Sequence, residues 1–195
     1  MKTISLSQAD MERRISQFQD LQPLPIQQDG EIPLAATDLI YARKLLSVIG
    51  LESAAETPIS SAAPIVGAAG MTMTLAVCPP GQGPSLHAHL QTYETFTVLK
   101  GRFEITWNDD GGECSVLEQF DTISVPPRVN RAFRNIGDEE GVLQVIITGG
   151  VHDMNDIDVS PAVGEKLDAI KPGLRQSFEA KGITFTAHQN AALHD

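Results

Sequence analysis

The sequence predicts an all-β fold, an antiparallel sandwich or barrel with helical segments at both ends. Residues 70–150 contain short segments in which apolar and polar side chains alternate, as they do in half-buried strands. Turn-forming residues separate these segments, most clearly in "NDDGG" (108–112) and "NIGDEEG" (135–141). We therefore divide the chain into an N-terminal helical arm with an irregular linker (1–69), a β-barrel (70–150), and a C-terminal helical segment with a tail (151–195).

The N-terminal arm is predicted to begin with a helix capped by Ser7 and Asp10. Its apolar residues follow at the spacing of one helical face, at Met11, Ile15 and Phe18.

A second helix is predicted at 36–50, "ATDLIYARKLLSVIG". This segment has Thr37 or Asp38 as a cap, an apolar stripe and Gly50 as its end. Residues 51–69 are small, polar and interrupted by prolines, so we expect an irregular arm there.

In two of the predicted strands, alternate side chains lie on opposite faces, and the two faces differ in character. "ETFTVL" places Glu94, Phe96 and Val98 on one face, and "GRFEITW" does the same for Phe103, Ile105 and Trp107. Further strands are predicted in five segments: "MTMTLAV", "CSVLEQF", "DTISVP", "NRAFRN" and "GVLQVIITGG".

The C-terminal segment returns to helical spacing. Ser160 and Pro161 start one predicted helix, and "LRQSFEAKG" (174–182) forms another. We expect the last dozen residues to fray. The stretch before these helices contains His152, predicted to lie on the surface, and three acidic residues, predicted to form a solvated loop: Asp153, Asp156 and Asp158.

Composition and charge exclude several classes of function. The formal net charge of -11 argues against binding to nucleic acid or to an anionic membrane surface. The beginning of the sequence lacks the apolar core of a signal peptide, so we expect a cytoplasmic protein. In that reducing compartment Cys78 and Cys114 are expected to be free thiols.

The chemistry-bearing residues cluster in "GPSLHAHLQTYETFTVLKG" (83–101). His87 and His89 are two apart, so on a strand both imidazoles point to the same face. A turn through residues 90–92 would let Glu94 open the next strand pointing the same way. Two histidines and one carboxylate form a facial set that leaves open positions on a bound iron or similar ion.

The spacing of these residues resembles the first motif of the cupin superfamily. That motif, G-x5-H-x-H-x4-E-x6-G, is matched here by Gly81, His87, His89, Glu94 and Gly101. The resemblance implies a double-stranded β-helix, or jelly-roll, barrel. It also implies a divalent metal ion inside the barrel, such as iron, manganese, nickel or zinc.

The second cupin motif is matched only in part, by "FDTISVPPRVNRAFRN" (120–135). Pro126 and Asn135 match the motif, whereas Phe120 and Arg128 replace its glycines. Arg131 stands where the family usually has its last histidine ligand. An arginine cannot bind a cation, because it stays charged and has no lone pair to offer.

Two interpretations of Arg131 remain open from the sequence. In one, His87, His89 and Glu94 hold a metal, and Arg131 binds an anionic substrate group beside it. In the other, no metal binds, and Arg131 takes the place of the ion and pairs with Glu94.

The resemblance implies a small-molecule cupin, interpreted here as a metal-dependent enzyme with dioxygenase-like chemistry on a small aromatic or oxygenated organic acid. Arg131 would orient the anionic substrate, and Glu94 would be a metal ligand or a general base. Substrate would also contact the barrel-lining side chains of Phe96, Val98 and Phe133.

Two alternative functions remain. One is a metal-free cupin that binds or isomerises a small ligand such as a sugar derivative, and the other is a non-catalytic sensing module. Because strands at the edge of an open barrel are often covered by a neighbour's arm, we also expect a homodimer.

Overall fold

The computed structural model describes residues 1–51, 58–67, 70–149 and 156–187. Within these ranges the chain is mostly β-sheet, which confirms the all-β prediction. The strands are β1 (Lys44–Gly50), β2 (Ile65–Val66), β3 (Met71–Cys78), β4 (His87–His89), β5 (Tyr93–Lys100), β6 (Phe103–Trp107), β7 (Glu113–Leu117), β8 (Thr122–Val125), β9 (Arg131–Asn135), β10 (Gly141–Thr148) and β11 (Ile157–Val159).

These strands form two sheets. A six-stranded sheet has the order β2-β1-β3-β10-β5-β8, and a five-stranded sheet has the order β11-β4-β9-β6-β7. Strand pairing within the described ranges does not close the sheets into a continuous barrel. The chain crosses between the sheets several times, so residues that are close in sequence lie on opposite walls.

Short helices flank the sheets. They are α1 (Gln8–Glu12), α2 (Pro25–Gln28), α3 (Leu34–Ile40), α4 (Pro58–Ala62), α5 (Pro161–Ile170) and α6 (Leu174–Glu179), with one 3₁₀ turn at Phe18–Asp20. Pro161 occupies the first turn of α5, as predicted, and Ser160 precedes it in an extended conformation. No described helix is long and apolar enough to cross a membrane.

The alternating strands confirm the sequence pattern. Along β5 the buried positions are Glu94, Phe96 and Val98, and along β6 they are Phe103 and Ile105. These side chains point between the two sheets, because every second residue of a strand faces the same way. The predicted turns at 108–112 and 135–141 also connect strands in the structure.

The helix predicted at 36–50 is wrong in its second half. Helix α3 ends at Ile40, and residues 44–50 form β1, which pairs antiparallel with β3. Leu46 and Val48 are buried, and Leu45 is half-buried on the other face. A strand with apolar residues on both faces lacks the alternating pattern, and a short run of this kind resembles a helix in sequence.

The predicted first helix is confirmed at its start and is shorter than expected. Ser7 and Asp10 form a capping box, in which each side chain bonds the other residue's backbone. Helix α1 nevertheless ends at Glu12, before Ile15 and Phe18.

The described residues form two hydrophobic cores. The barrel core lies between the sheets and includes Phe96, Phe103 and Leu143. The flanking core lies between the helices and the sheet edge and includes Leu167 and Phe178. Leu45, on β1, packs against both cores and links them.

The C-terminal segment is more ordered than the sequence predicted. Phe185 and Ala187 are buried, so the expectation that the last dozen residues fray is wrong for 184–187. Both oxygens of Asp158 bind Thr186, through its backbone N–H and its hydroxyl. The surface prediction for His152, the loop prediction for Asp153 and the fraying prediction for 188–195 fall outside the described residues.

Candidate metal centre

Two walls of the barrel contribute to the candidate site. His87 and His89 lie on β4 of the five-stranded sheet, where His87 is directly opposite Arg131 of β9. Directly opposed residues of paired strands share a face, so both side chains point between the sheets. Glu94 comes from β5 of the six-stranded sheet, and the turn through 90–92 carries it across the gap.

One carboxylate oxygen is the centre of this cluster. Glu94 Oε2 lies 3.5 Å from His87 Nε2 and 3.5 Å from His89 Nε2. Potential ligand atoms of these three residues all lie within 4.8 Å of one another. The sequence prediction that His87, His89 and Glu94 come together is therefore confirmed geometrically.

The other nitrogen of each imidazole has a partner that fixes the ring. His87 Nδ1 lies 3.0 Å from the carbonyl oxygen of Ser85, and His89 Nδ1 lies 2.9 Å from Asp156 Oδ2. A carbonyl oxygen and an ionised carboxylate can only accept, so Nδ1 donates in both cases. When the rings are neutral, each Nε2 atom carries a lone pair that points to Glu94.

Asp156 is a site residue that the sequence analysis misplaced. It was predicted to lie in a solvated loop, and the structure buries it beside β4. Its carboxylate accepts hydrogen bonds from the Gln91 backbone N–H and the Thr92 hydroxyl as well as from His89. The carboxylate thus holds the turn between β4 and β5, and the local sequence gave no signal of this contact.

The arrangement fits a divalent cation. Two nitrogen lone pairs and a carboxylate oxygen repel one another unless a proton or a metal ion lies between them. Glu94 Oε2 is buried and has no hydrogen-bond partner of good geometry. Nitrogen and oxygen ligands about 2.1 Å from a common ion lie about 3.4 Å apart at tetrahedral angles, close to the spacing observed.

Arg131 faces the same carboxylate from the side. Its Nε lies 3.4 Å from Glu94 Oε2, and one terminal nitrogen donates to the Pro126 carbonyl at 3.2 Å. The residue is fully buried, yet Nε and Nη1 have no hydrogen-bond partner. A buried guanidinium with unused donors is costly, and an anion placed against those donors would remove the cost.

The electrostatics keep Glu94 ionised. Burial alone raises the pKa of Glu94, but positive charge on His89, His87 and Arg131 and a hydrogen bond from His87 lower it by a larger amount, so that without a metal ion its pKa lies at about 2. A carboxylate with so low a pKa is a ready metal ligand and a weak general base at neutral pH. Of the two roles predicted for Glu94, the environment favours the ligand.

Phe96 and Phe133 are one inward-facing position away from the cluster, and Val98 is two positions away along β5. Phe96 is two residues beyond Glu94 and Phe133 two beyond Arg131, so each shares the inward face of its strand. The Phe96 and Phe133 rings pack edge to face, with centroids 5.3 Å apart. Together with Val98 they belong to the barrel core and form an apolar wall beside the polar site.

Comparison with known proteins identifies the region around this site. Residues 74–147 match the family described as Cupin domain. A curated protein of Streptomyces cyaneus, Polyketide synthase CurC, is 37% identical over 75 residues, which make up 38% of this chain and 47% of that protein. The chain therefore matches about half the length of this relative.

Two solved structures also match part of this chain. The cupin domain of Cnp3 from Schizosaccharomyces pombe is 19% identical, with a TM-score of 0.38, and the match covers 41% of this chain and 56% of that one. A cupin protein from Bacteroides fragilis is 26% identical, with a TM-score of 0.38, and the match covers 41% and 66% of the two chains.

Proposed function

Because residues 74–147 match the Cupin domain family, we propose that the chain is a small-molecule enzyme with a divalent metal ion held by His87, His89 and Glu94. The observation that carries the proposal is the convergence of two imidazole Nε2 atoms on an unpartnered carboxylate oxygen. When bound, the ion supplies Lewis-acid chemistry and, if it is iron or manganese, redox chemistry at its open positions.

Arg131 is proposed to bind the anionic group of the substrate. Its free Nε and Nη1 donors lie beside the three proposed ligands and suit a carboxylate. A divalent ion and Arg131 together carry three positive charges, against one negative charge each on Glu94 and Asp156. A single substrate carboxylate brings this cluster to neutrality, which favours a monoanionic organic acid.

The reaction proposed is dioxygenase-like, on a small aromatic or oxygenated organic acid. The wall formed by Phe96, Val98 and Phe133 supports an apolar or aromatic substrate body, because these side chains exclude water beside the charged site. The name of the Streptomyces cyaneus relative, a polyketide synthase, is compatible with an oxygenated organic compound.

A second candidate is a metal-free cupin that binds or isomerises a small ligand such as a sugar derivative. The 3.4 Å separation between Arg131 Nε and Glu94 Oε2 favours it, because this pair can balance the buried charges without an ion. The two candidates differ in one measurable property, which is metal uptake.

Metal uptake can be measured by titrating chelator-treated protein with ferrous, manganous, nickel or zinc ions and counting bound ions by elemental analysis. We expect about one ion per chain in the parent and a loss of at least tenfold in affinity in Glu94→Gln. Glu113→Gln, at an exposed carboxylate of β7, is the matched control and should bind as the parent does. A parent that takes up none of the four ions would support the metal-free candidate.

A separate experiment tests the proposed substrate and reaction. With ferrous ion bound, we expect a panel of hydroxylated benzoates to cause oxygen consumption in an oxygen electrode, and Arg131→Gln to raise KM more than it lowers kcat. Metal binding without oxygen consumption on any acid of the panel would contradict the dioxygenase-like reaction. It would leave the proposed metal site standing.

A further inference from the structure

Trp107, the single tryptophan of the chain, lies on the inward face of β6 beside Arg131. It follows Phe103 and Ile105 at every second position of the strand, and these two side chains are fully buried between the sheets. It is also directly opposite Arg131 of β9, and directly opposed residues of paired strands share a face. The Trp107 side chain therefore points towards the space that contains the proposed site.

Trp107 is only partly buried, although it faces inward. Its directly opposed neighbours are Arg131 on one side and Glu113 of β7 on the other. Burial decreases along this row of three residues, because Arg131 is fully buried, Trp107 is partly exposed and Glu113 is exposed. Trp107 thus lies where the space between the two sheets opens to solvent, next to the unused donors of the guanidinium.

The phenylalanine rings of the inner wall are already packed and leave almost no exposed surface for a ligand. Phe96 is 0% exposed, Phe133 is 5% exposed, and the two rings contact each other edge to face. Both belong to the barrel core, whereas Trp107 belongs to neither hydrophobic core of the described residues. A large aromatic side chain that faces the site and lies outside the cores is available to contact a ligand.

We propose that Trp107 determines which acids the site accepts, by stacking on the ring of an aromatic acid whose carboxylate is bound by Arg131. This rests on the proposed function, in which Arg131 binds the anionic group of the substrate. Directly opposed residues have Cβ atoms about 5 Å apart, so an acid whose carboxylate is attached directly to its ring reaches both side chains at once.

The substrate class that this arrangement selects is an aryl carboxylate rather than an aliphatic acid. Aromatic rings attract each other more strongly than their buried apolar area alone accounts for, because their charge distributions are complementary in stacked and edge-to-face arrangements. An aliphatic ring of the same size would bury a similar area against Trp107 without this additional attraction. The difference between two such acids is therefore the property that Trp107 controls.

Equilibrium binding of two matched acids tests the proposal. Benzoate and cyclohexanecarboxylate each carry one carboxylate on a six-membered ring, but only the ring of benzoate is planar and aromatic. Zinc is added to the protein because it has no redox chemistry, so binding is measured without turnover. We expect calorimetry to show benzoate binding about three- to tenfold more tightly than cyclohexanecarboxylate. Trp107→Leu should reduce this ratio to less than about twofold, and Trp107→Phe should keep most of it.

Tyr93→Leu is the matched control for these variants. Tyr93 is adjacent to Glu94 in sequence, but it is 48% exposed and its side chain points to the opposite face of β5. The ratio of the two affinities in this variant should equal that of the parent.

Fluorescence provides a second measurement that needs no variant. Because Trp107 is the single tryptophan, its emission reports on this position alone. Saturating benzoate should change the intensity or the wavelength of that emission in the parent. Benzoate that binds by calorimetry and leaves the emission unchanged overturns the proposal.

The remaining outcomes separate this proposal from the proposed function. If the parent binds both acids equally, or if Trp107→Leu keeps the parent's ratio, the role of Trp107 is wrong. The anion-binding role of Arg131 then stands, provided that Arg131→Gln weakens the binding of both acids. If neither acid binds to the parent, the role of Arg131 is wrong and the proposal for Trp107 falls with it.

Discussion

At the scale of single residues, Asp156 explains how the two histidines are held in position. A metal-binding histidine usually donates its second nitrogen to a carboxylate or carbonyl, which fixes the tautomer. Asp156 does this for His89 and also binds Gln91 and Thr92. Burial alone raises the pKa of Asp156, but these hydrogen bonds lower it by a larger amount, to about 2. The carboxylate is therefore ionised at neutral pH.

Replacing Asp156 by asparagine should weaken metal binding. We expect the dissociation constant for the preferred ion to rise by about 10- to 100-fold, because the amide cannot serve all three donors and leaves the His89 ring less firmly oriented. Isothermal titration calorimetry, performed well below the melting temperature, measures the change.

The matched control for this variant is Asp158→Asn. Asp158 is also buried and binds Thr186, and within the described part of the chain its side chain has no observed contact with a histidine. Its replacement should lower stability and leave the dissociation constant within about threefold of the parent. Equal losses of metal affinity in the two variants would mean that Asp156 acts through general stability alone.

The sequence predicted the three proposed metal ligands, but it did not predict Asp156, which orients one of them. His87, His89 and Glu94 are close in sequence, so spacing and strand alternation were enough to bring them together. Asp156 reaches the site through tertiary structure, because β11, which follows it, pairs with β4. An acidic residue among other acidic residues carries no local sign of such a contact.

At the scale of secondary-structure elements, the strand that carries Arg131 is fixed by a close approach of another segment. Gly83 lies against β9, where an added Cβ would be 1.7 Å from the carbonyl oxygen of Phe133. The backbone itself must shift to make room. Gly83 therefore allows the segment before β4 to pack directly on β9.

Gly83→Ala should be strongly destabilising. We expect the free energy of unfolding to fall by more than about 2 kcal/mol, because the clash is with backbone atoms that cannot rotate away. Urea titration followed by circular dichroism measures it. Gly30→Ala, where an added Cβ meets nothing within 4 Å, should change the same quantity by less than about 0.5 kcal/mol. Similar values for both variants would contradict the inferred packing.

The alternating pattern of apolar and polar residues predicted the strands that have one buried face. It did not predict β1, which has two. Strands β5 and β6 alternate and were predicted with their inward residues. Strand β1 carries apolar residues on both faces, with Leu45 half-buried on one face and Leu46 buried on the other. Only knowledge of both neighbours distinguishes such a strand from a helix.

At the scale of the whole molecule, the two cores are joined by shared residues. Leu45 packs against both cores. Strand β11 pairs with β4 in the sheet, and Val159 on β11 is buried in the flanking core. We therefore expect the barrel and its flanking helices to unfold together.

Leu167→Ala, in the centre of the flanking core, tests this coupling. The side chain is fully buried, so we expect a loss of about 2–5 kcal/mol in the free energy of unfolding. The variant should unfold in a single transition whose midpoint lies at a lower denaturant concentration. Trp107 fluorescence, which reports on the barrel, and circular dichroism should show the same shift. Lys166→Ala, at the exposed neighbouring position, should shift it by less than about 0.5 kcal/mol. A Trp107 transition that does not move would show that the cores unfold separately.

The pairing of β11 with β4 also defines the smallest piece of this chain that could be moved into another protein with its site intact. A fragment cut at residues 74 and 147 would keep all three proposed ligands. It would lose β11, which flanks His87 and His89, and Asp156, which orients His89. Because Thr186 in turn secures Asp158 on β11, the transferable unit extends to at least residue 186.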